Sequence, residues 1–281
     1  MQTMSMETPP NPARFAEALA PAMRQAASTA RALEGKVANR PKAGEATDVK
    51  AALTLADQAC QEALLVPLWK QFSQVRLEAE EDTPSVEHFP KQGRSLVVID
   101  PIDGTLRFYL EGRGPYAVIL GLATDDVYQA SLLALPREGC FFQAIRAGGA
   151  LGVWEQGRFE PVQATADGRR VYVSHDLPQP AVKVLRDAGL EVAPACGGAI
   201  SVAPLLPGVC AGLRWVGGGT VSIRGRVGAL ISSEAGALVR GENGEPFPDD
   251  IREPARALLL AADEADLVTL EKAAAAAAAA A

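Results

Sequence analysis

The chain has only two histidines, His88 and His175, and they lie far apart in sequence. No H-x-x-H pair exists, so a zinc centre of the usual imidazole type is excluded. The four cysteines, Cys60, Cys140, Cys196 and Cys210, form no C-x-x-C pair and show no framework spacing. A disulfide scaffold is therefore excluded, and buried free thiols in a reducing cytoplasm are expected. No apolar run reaches the roughly 20 residues of a membrane-spanning helix. Met1 to Pro12 lacks a basic stretch followed by an apolar one, so no signal peptide is expected. Positive charge is also short: 27 Lys and Arg stand against 34 Asp and Glu, a net charge of −7. That balance excludes a binder of nucleic acid polymers, which needs a basic stripe. It leaves room for a small anionic ligand, because a metal ion can supply local positive charge. There is no internal repeat.

Apolar residues make up 48% of the 281 positions, enough for a sizeable core in one large domain or two smaller ones sharing an interface. With so few histidines and no cysteine pair, any metal site must be built mainly from Asp and Glu. The densest arrangement is Asp100-Pro101-Ile102-Asp103-Gly104-Thr105, directly after the apolar, β-branched run Ser95 to Ile99. That run reads as a buried strand. Two carboxylates at its C-terminal end suit a hard cation such as Mg²⁺. Gly104 permits close backbone approach, and a helical turn starting there would aim free N–H groups at an anion. Read alone, the motif is equally a D-x-D-G turn joining two strands. Upstream, Leu77 to Asp82 carries Glu78, Glu80, Glu81 and Asp82, by default a solvated acidic face. Thr54 to Asp57 sits on a helix-like stretch, where Asp57 reads by default as exposed.

Taken together, a T-x-x-D on a helix, then E-E, then D-P-I-D-G-T resembles the inositol monophosphatase family of the sugar-phosphatase superfamily. Gly114 to Gly121 resembles the family's segment after D-G-T, and Gly228 to Gly236 its later E-A-G segment. The resemblance implies a mixed α+β and α/β fold, an alternating αβαβα layered sandwich with the active site in the cleft between the halves. It implies Mg²⁺ as cofactor, with Glu80, Asp100 and the Ile102 carbonyl at a first metal and Asp100 with Asp103 at a second. Thr105 and Asp57 would orient or deprotonate a metal-activated water, with Glu80 or Glu81 nearby. The N–H groups of Gly104 and Thr105 would hold the phosphate, and Gly197-Gly198-Ala199 would line the substrate pocket. An ordinary Gly-rich helix start is an equal reading of that last turn. Many relatives are dimers, so a homodimer is also implied.

Three positions depart from the pattern. Counting back from Gly228, the family's W-D aspartate is replaced by Arg224 and its tryptophan by Ile223, and Trp215 to Leu230 contains no acid. A guanidinium repels Mg²⁺. At about 4 Å and an effective dielectric near 20, a unit charge beside a divalent ion costs several kcal/mol. Arg224 is thus expected to block the second metal position, to contact Asp100 or Asp103, or to bind phosphate directly. Its other reading is a side chain turned out to solvent. Arg107 stands where an asparagine is usual. The glycine loop at Val216 to Gly219 replaces an acidic residue that contacts substrate hydroxyls.

Periodicity places helices at Ala13–Leu33, Thr54–Phe72 and Pro180–Ala188, with helical character at Ala199–Leu206 and Val221–Ala235. Strands are expected at Tyr116–Ala123, Tyr128–Leu135, Cys140–Arg146, Leu151–Trp154, Arg170–Ser174 and Leu190–Pro194. The expected organisation is a tail at 1–12, an α+β metal-binding subdomain at 13–165, an α/β substrate subdomain at 166–272 and an alanine tail at 273–281. The function that follows is a Mg²⁺-dependent phosphatase for a small phosphate monoester: inositol monophosphate, a 3′(2′),5′-bisphosphate nucleotide or a sugar phosphate. The alternative is a catalytically impaired relative that binds phosphorylated metabolites or a protein partner.

Overall fold

The computed structural model describes residues 8–154 and 157–280. Most of the expected N-terminal tail lies outside them. The first helix, α1 (Pro12–Leu33), opens on Asn11, whose side chain accepts the Arg14 N–H at 3.0 Å. Phe15, Leu19 and Met23 recur at four-residue spacing and are fully buried. A short helix, α2 (Asp48–Ala51), leads into α3 (Leu55–Phe72).

Seven strands follow in one sheet, each beside its neighbour in sequence: β1 (Arg76–Ala79), β2 (Ser95–Asp103), β3 (Ala117–Thr124), β4 (Val127–Leu135), β5 (Cys140–Ile145), β6 (Gly149–Trp154) and β7 (Glu160–Pro161). Only β1 and β2 run parallel. Strand β3 is apolar almost throughout because both faces of this sheet are covered. A second sheet has the order β11-β12-β10-β8-β9, built from β8 (Gly168–Val173), β9 (Glu191–Pro194), β10 (Gly208–Trp215), β11 (Leu238–Arg240) and β12 (Ala257–Ala261).

The helices complete the layers. Helices α1 and α3 pack together on one face of the first sheet. On its other face lies α6 (Val227–Glu234), joined to α5 (Gly197–Ser201), which also contacts β10 of the second sheet. On the outer side of the second sheet, α4 (Gln179–Asp187) and α7 (Glu264–Ala278) pack against each other. The order is αβαβα, as the motifs implied.

Two details differ from the periodicity. The helix expected over Ala199–Leu206 ends at Ser201, and a 3₁₀ turn at Ala203–Leu205 follows. Pro204 has no N–H to continue the α-helical ladder. The helix expected from Val221 begins as a single turn, Arg224–Arg226, before α6. The alanine run is part of the fold down to Ala278: Ala273, Ala274 and Ala277 are buried on α7 with Leu213 and Leu259 in the second core. The first sheet ends at Pro161 and the second begins at Gly168. We propose the subdomain boundary between them, with α5 and α6 crossing back to cover the first sheet.

Candidate active site

The site begins with an irregularity in β2. Asp100 pairs with Ile119 and Asp103 with Ala117, so three steps along β2 match two along β3. In a regular strand, residues three apart face opposite ways. The extra residue is a bulge, and it lets Asp100 and Asp103 line the same cavity. Gly104 follows with φ of 90°. A Cβ there would lie 2.6 Å from the Phe108 ring and 2.9 Å from Cys196, so only glycine fits the turn. The chain then winds through one wide helical turn, Thr105–Leu110, which carries Thr105 and Arg107.

Thr105 meets the start of α3. Its hydroxyl lies 3.0 Å from Asp57 Oδ1 and 2.9 Å from the Ile102 carbonyl oxygen. Asp57 is fully buried, against its default reading as an exposed helix residue. A capping box fixes its side chain inside: Asp57 Oδ2 accepts the Thr54 N–H at 2.7 Å and the Thr54 hydroxyl at 2.6 Å, and the Thr105 turn packs over it. Burial pushes the Asp57 pKa up, while the hydrogen bonds from Thr54 and Thr105 oppose it.

The two glutamates after β1 part company. Glu81 ion-pairs with Lys42 at 2.8 Å, and its backbone exchanges hydrogen bonds with the Gln61 side chain at 2.6 and 3.0 Å. That anchoring leaves Glu80 to line the cavity with Asp100, Asp103, Gly104 and Thr105. The cavity measures ≈ 590 Å³. Its remaining wall includes Gly197, Ser174, His175, Arg107, Arg214, Trp215, the Val216–Gly218 loop and Arg224. Gly198 holds the far side in register, its N–H donating to Asp103 Oδ2 at 2.5 Å. Ala199 is fully buried and its N–H points to Cys196 Sγ, 3.3 Å away.

Charge is unevenly settled here. Asp100 is 6% exposed, and burial together with the nearby Glu80 and Asp103 carboxylates pushes its pKa well above the usual range. Arg224 opposes this, its Nε 3.9 Å from Asp100 Oδ2. Glu80 Oε2 and Asp100 Oδ1 are buried without a hydrogen-bond partner. Oxygen donors of that kind, forced together and unsatisfied, fit a hard divalent cation at Glu80 and Asp100. A second cation is not matched: Arg224 approaches Asp100 there, and Asp103 Oδ2 is engaged by Gly198. Among the described residues, no three His, Cys, Asp or Glu side chains are arranged to hold a metal ion.

Residues 13–182 match the model of the inositol monophosphatase family. The chain belongs to that family. In this family member Asp57, Glu80, Asp100, Asp103 and Thr105 all fall inside the matched residues, whereas the glycine loop and Arg224 fall beyond them. Solved inositol monophosphatase structures extend the likeness over nearly the whole chain. An IMPase from Thermotoga maritima is 16% identical with a TM-score of 0.70, covering 94% of this chain and 98% of its own. An inositol monophosphatase from Anabaena is 17% identical with a TM-score of 0.66, covering 92% and 95%. An IMPase/NADP phosphatase complexed with Mg²⁺ and phosphate is 16% identical with a TM-score of 0.67, covering 92% and 95%. No curated protein matches the chain in sequence. All four cysteines are buried and unbridged. Among the described residues, no helix is long and apolar enough to cross a membrane.

Sequence reasoning missed Ser174, His175 and Arg214. Burial holds the His175 pKa below its ordinary value, with Arg107 and Arg113 adding to the effect and Asp176 opposing it. Arg214 carried one sequence signal, a lone charge within the apolar stretch Gly208 to Trp215.

Proposed function

We propose that this phosphatase-family protein is a Mg²⁺-dependent hydrolase of a small phosphate monoester. The observation that carries the reading is the pair of unsatisfied buried oxygens, Glu80 Oε2 and Asp100 Oδ1, in one cavity with the Thr105–Asp57 pair. Glu80, Asp100 and the Ile102 carbonyl are the groups that would hold the cation, with Asp103 as the further carboxylate. When bound, Mg²⁺ offsets charge on the phosphoryl oxygens and makes water more acidic. The IMPase/NADP phosphatase with Mg²⁺ and phosphate supports that choice of cofactor.

The chain's own residues do the rest. Thr105, held 3.0 Å from Asp57, orients the attacking water and passes its proton toward that carboxylate. Burial raises the affinity of Asp57 for a proton, which suits a base. The N–H groups of Gly104 and Thr105, with Gly197 on the facing wall, hold the substrate, whereas Gly198 is spent on Asp103 and Ala199 is buried away from the cavity. Arg224 supplies positive charge beside Asp100, where a second cation would otherwise neutralise the developing transition state.

The test is phosphate release from a panel of monoesters with Mg²⁺, with Asp100→Ala as control. We expect turnover that falls at least about 100-fold in the control. Absence of release on every substrate, with phosphorylated ligands still binding, would favour the non-enzymatic alternative instead.

A further inference from the structure

Strand β10 alternates. Leu213 points into the core beneath α4 and α7, so its neighbour Arg214 points the other way, toward the cavity. Its guanidinium occupies a cradle made by two glycines. A Cβ on Gly197 would lie 1.4 Å from Arg214 Nη1, and one on Gly225 would lie 2.7 Å from the same atom. Neither glycine has a positive φ, so their small size serves Arg214 rather than the local backbone.

Among the described residues Arg214 forms no ion pair with a carboxylate, and its Nη1 is buried without any hydrogen bond. Arg107, on the same cavity wall, likewise has a buried Nε with no partner. A buried guanidinium donor left unpaired is costly, and its planar fork matches the oxygens of a phosphate or carboxylate. Arg224, by contrast, has a carboxylate within ion-pair range, its Nε 3.9 Å from Asp100 Oδ2. The cavity therefore has a carboxylate end suited to a cation and a reacting phosphate, and a separate guanidinium wall with free donors.

We propose that the site takes a doubly anionic substrate, whose phosphate ester sits at the Glu80–Asp100 end while a second phosphate or carboxylate is held by Arg214 in the Gly197–Gly225 cradle. This rests on the phosphatase reading above and narrows its substrate class. Arg107 lies where it can add to the same field. A neutral polyol phosphate would leave these donors unpaired and so bind less well.

Two matched substrate pairs test the proposal and separate the sources of the second anion. One is glucose 1,6-bisphosphate against glucose 1-phosphate. The other is 3-phosphoglycerate against glycerol 3-phosphate. We expect kcat/KM to be roughly tenfold or more higher for the doubly anionic member of at least one pair, mainly through KM. In Arg214→Gln that ratio should fall toward one. Gly225→Ala keeps the charge but displaces the guanidinium, and should lower the ratio in the same direction; it also decides the matter if Arg214→Gln does not fold. Equal kcat/KM within both pairs overturns the proposal. So does a preference that survives both variants, or an equal loss on both members of a pair, which would put Arg214 on the reacting phosphate. If no substrate releases phosphate, the phosphatase reading fails by itself. Calorimetric binding of glucose 1,6-bisphosphate and glucose 1-phosphate then decides: a preference lost in the variants supports the second-anion site, and equal binding rejects it.

Discussion

At the scale of single residues, the site is a contest between carboxylates and arginines. Glu80 and Asp100 are buried together with unsatisfied oxygens, and Arg224 at 3.9 Å offsets part of that charge. Replacing Arg224 by Asp removes a cation that repels Mg²⁺ and adds an oxygen ligand. Arg224→Asp should therefore tighten Mg²⁺ binding, read by calorimetric titration of the purified protein. Unchanged or weaker binding would show that the arginine does more than stand in the metal's way. The grouping of Asp100, Asp103 and Thr105 was legible in the sequence because one short stretch carries all three. Arg214 was not, because its role depends on Gly197 and Gly225, seventeen positions before and eleven after it. Asp57 was legible as a motif residue but not as a buried one, since the capping box fixes its conformation while packing from distant elements removes it from water.

At the scale of elements, each site-bearing segment is anchored by a polar contact from far away in sequence. Glu81 is tied to Lys42 and Gln61, which sets the direction of Glu80. The end of α1 is fixed in the same manner. Glu34, just past Leu33, accepts hydrogen bonds from Arg137 at 2.6 and 3.0 Å, from Arg31 at 2.5 Å and from the Tyr116 hydroxyl at 3.2 Å. Burial pushes its pKa up, but Arg137 and Arg31 outweigh that and hold it below the usual carboxylate range. A depressed folded value means stability that is present above the unfolded value of about 4.3 and is lost as pH falls through the folded one. Glu34→Gln should thus cost about 1–3 kcal/mol at neutral pH in urea unfolding. The gap between variant and wild type should shrink once pH falls below the unfolded value and close only below the depressed folded one. A gap that persists there would mean the loss is one of packing, not charge. Helix and strand positions in the first sheet followed from local periodicity. The bulge in β2 did not, because a register shift is a property of the β2–β3 pairing.

At the scale of the whole molecule, the layer between the sheets holds the two halves together. Gly228 on α6 meets Ser201 on α5: an added Cβ would lie 1.9 Å from Ser201 Oγ and 2.8 Å from its Cβ. Ser232 Oγ donates to the Ser201 carbonyl at 2.7 Å across the same contact. Gly228→Ala should lower stability by about 1–3 kcal/mol through overpacking. The first core also takes in Leu205, Val209, Leu258 and Leu260 from the second half, so heating should give one cooperative transition in the wild type and in the variant. Two resolved transitions in calorimetry would show that the halves unfold separately. The sequence by itself determined the run of carboxylates that resembles the family, through it the layered fold that the resemblance implies, and most helix and strand positions, because the D-P-I-D-G-T residues are local and period-two and period-3.6 patterns are read residue by residue. Only the tertiary structure decided how these come about: a bulge in β2 turns Asp100 and Asp103 to one cavity, Lys42 and Gln61 hold Glu81 aside from Glu80, and Arg214 lies in a glycine cradle with its Nη1 unpaired. Those outcomes depend on strand register and on contacts between distant segments, which chain order does not encode position by position.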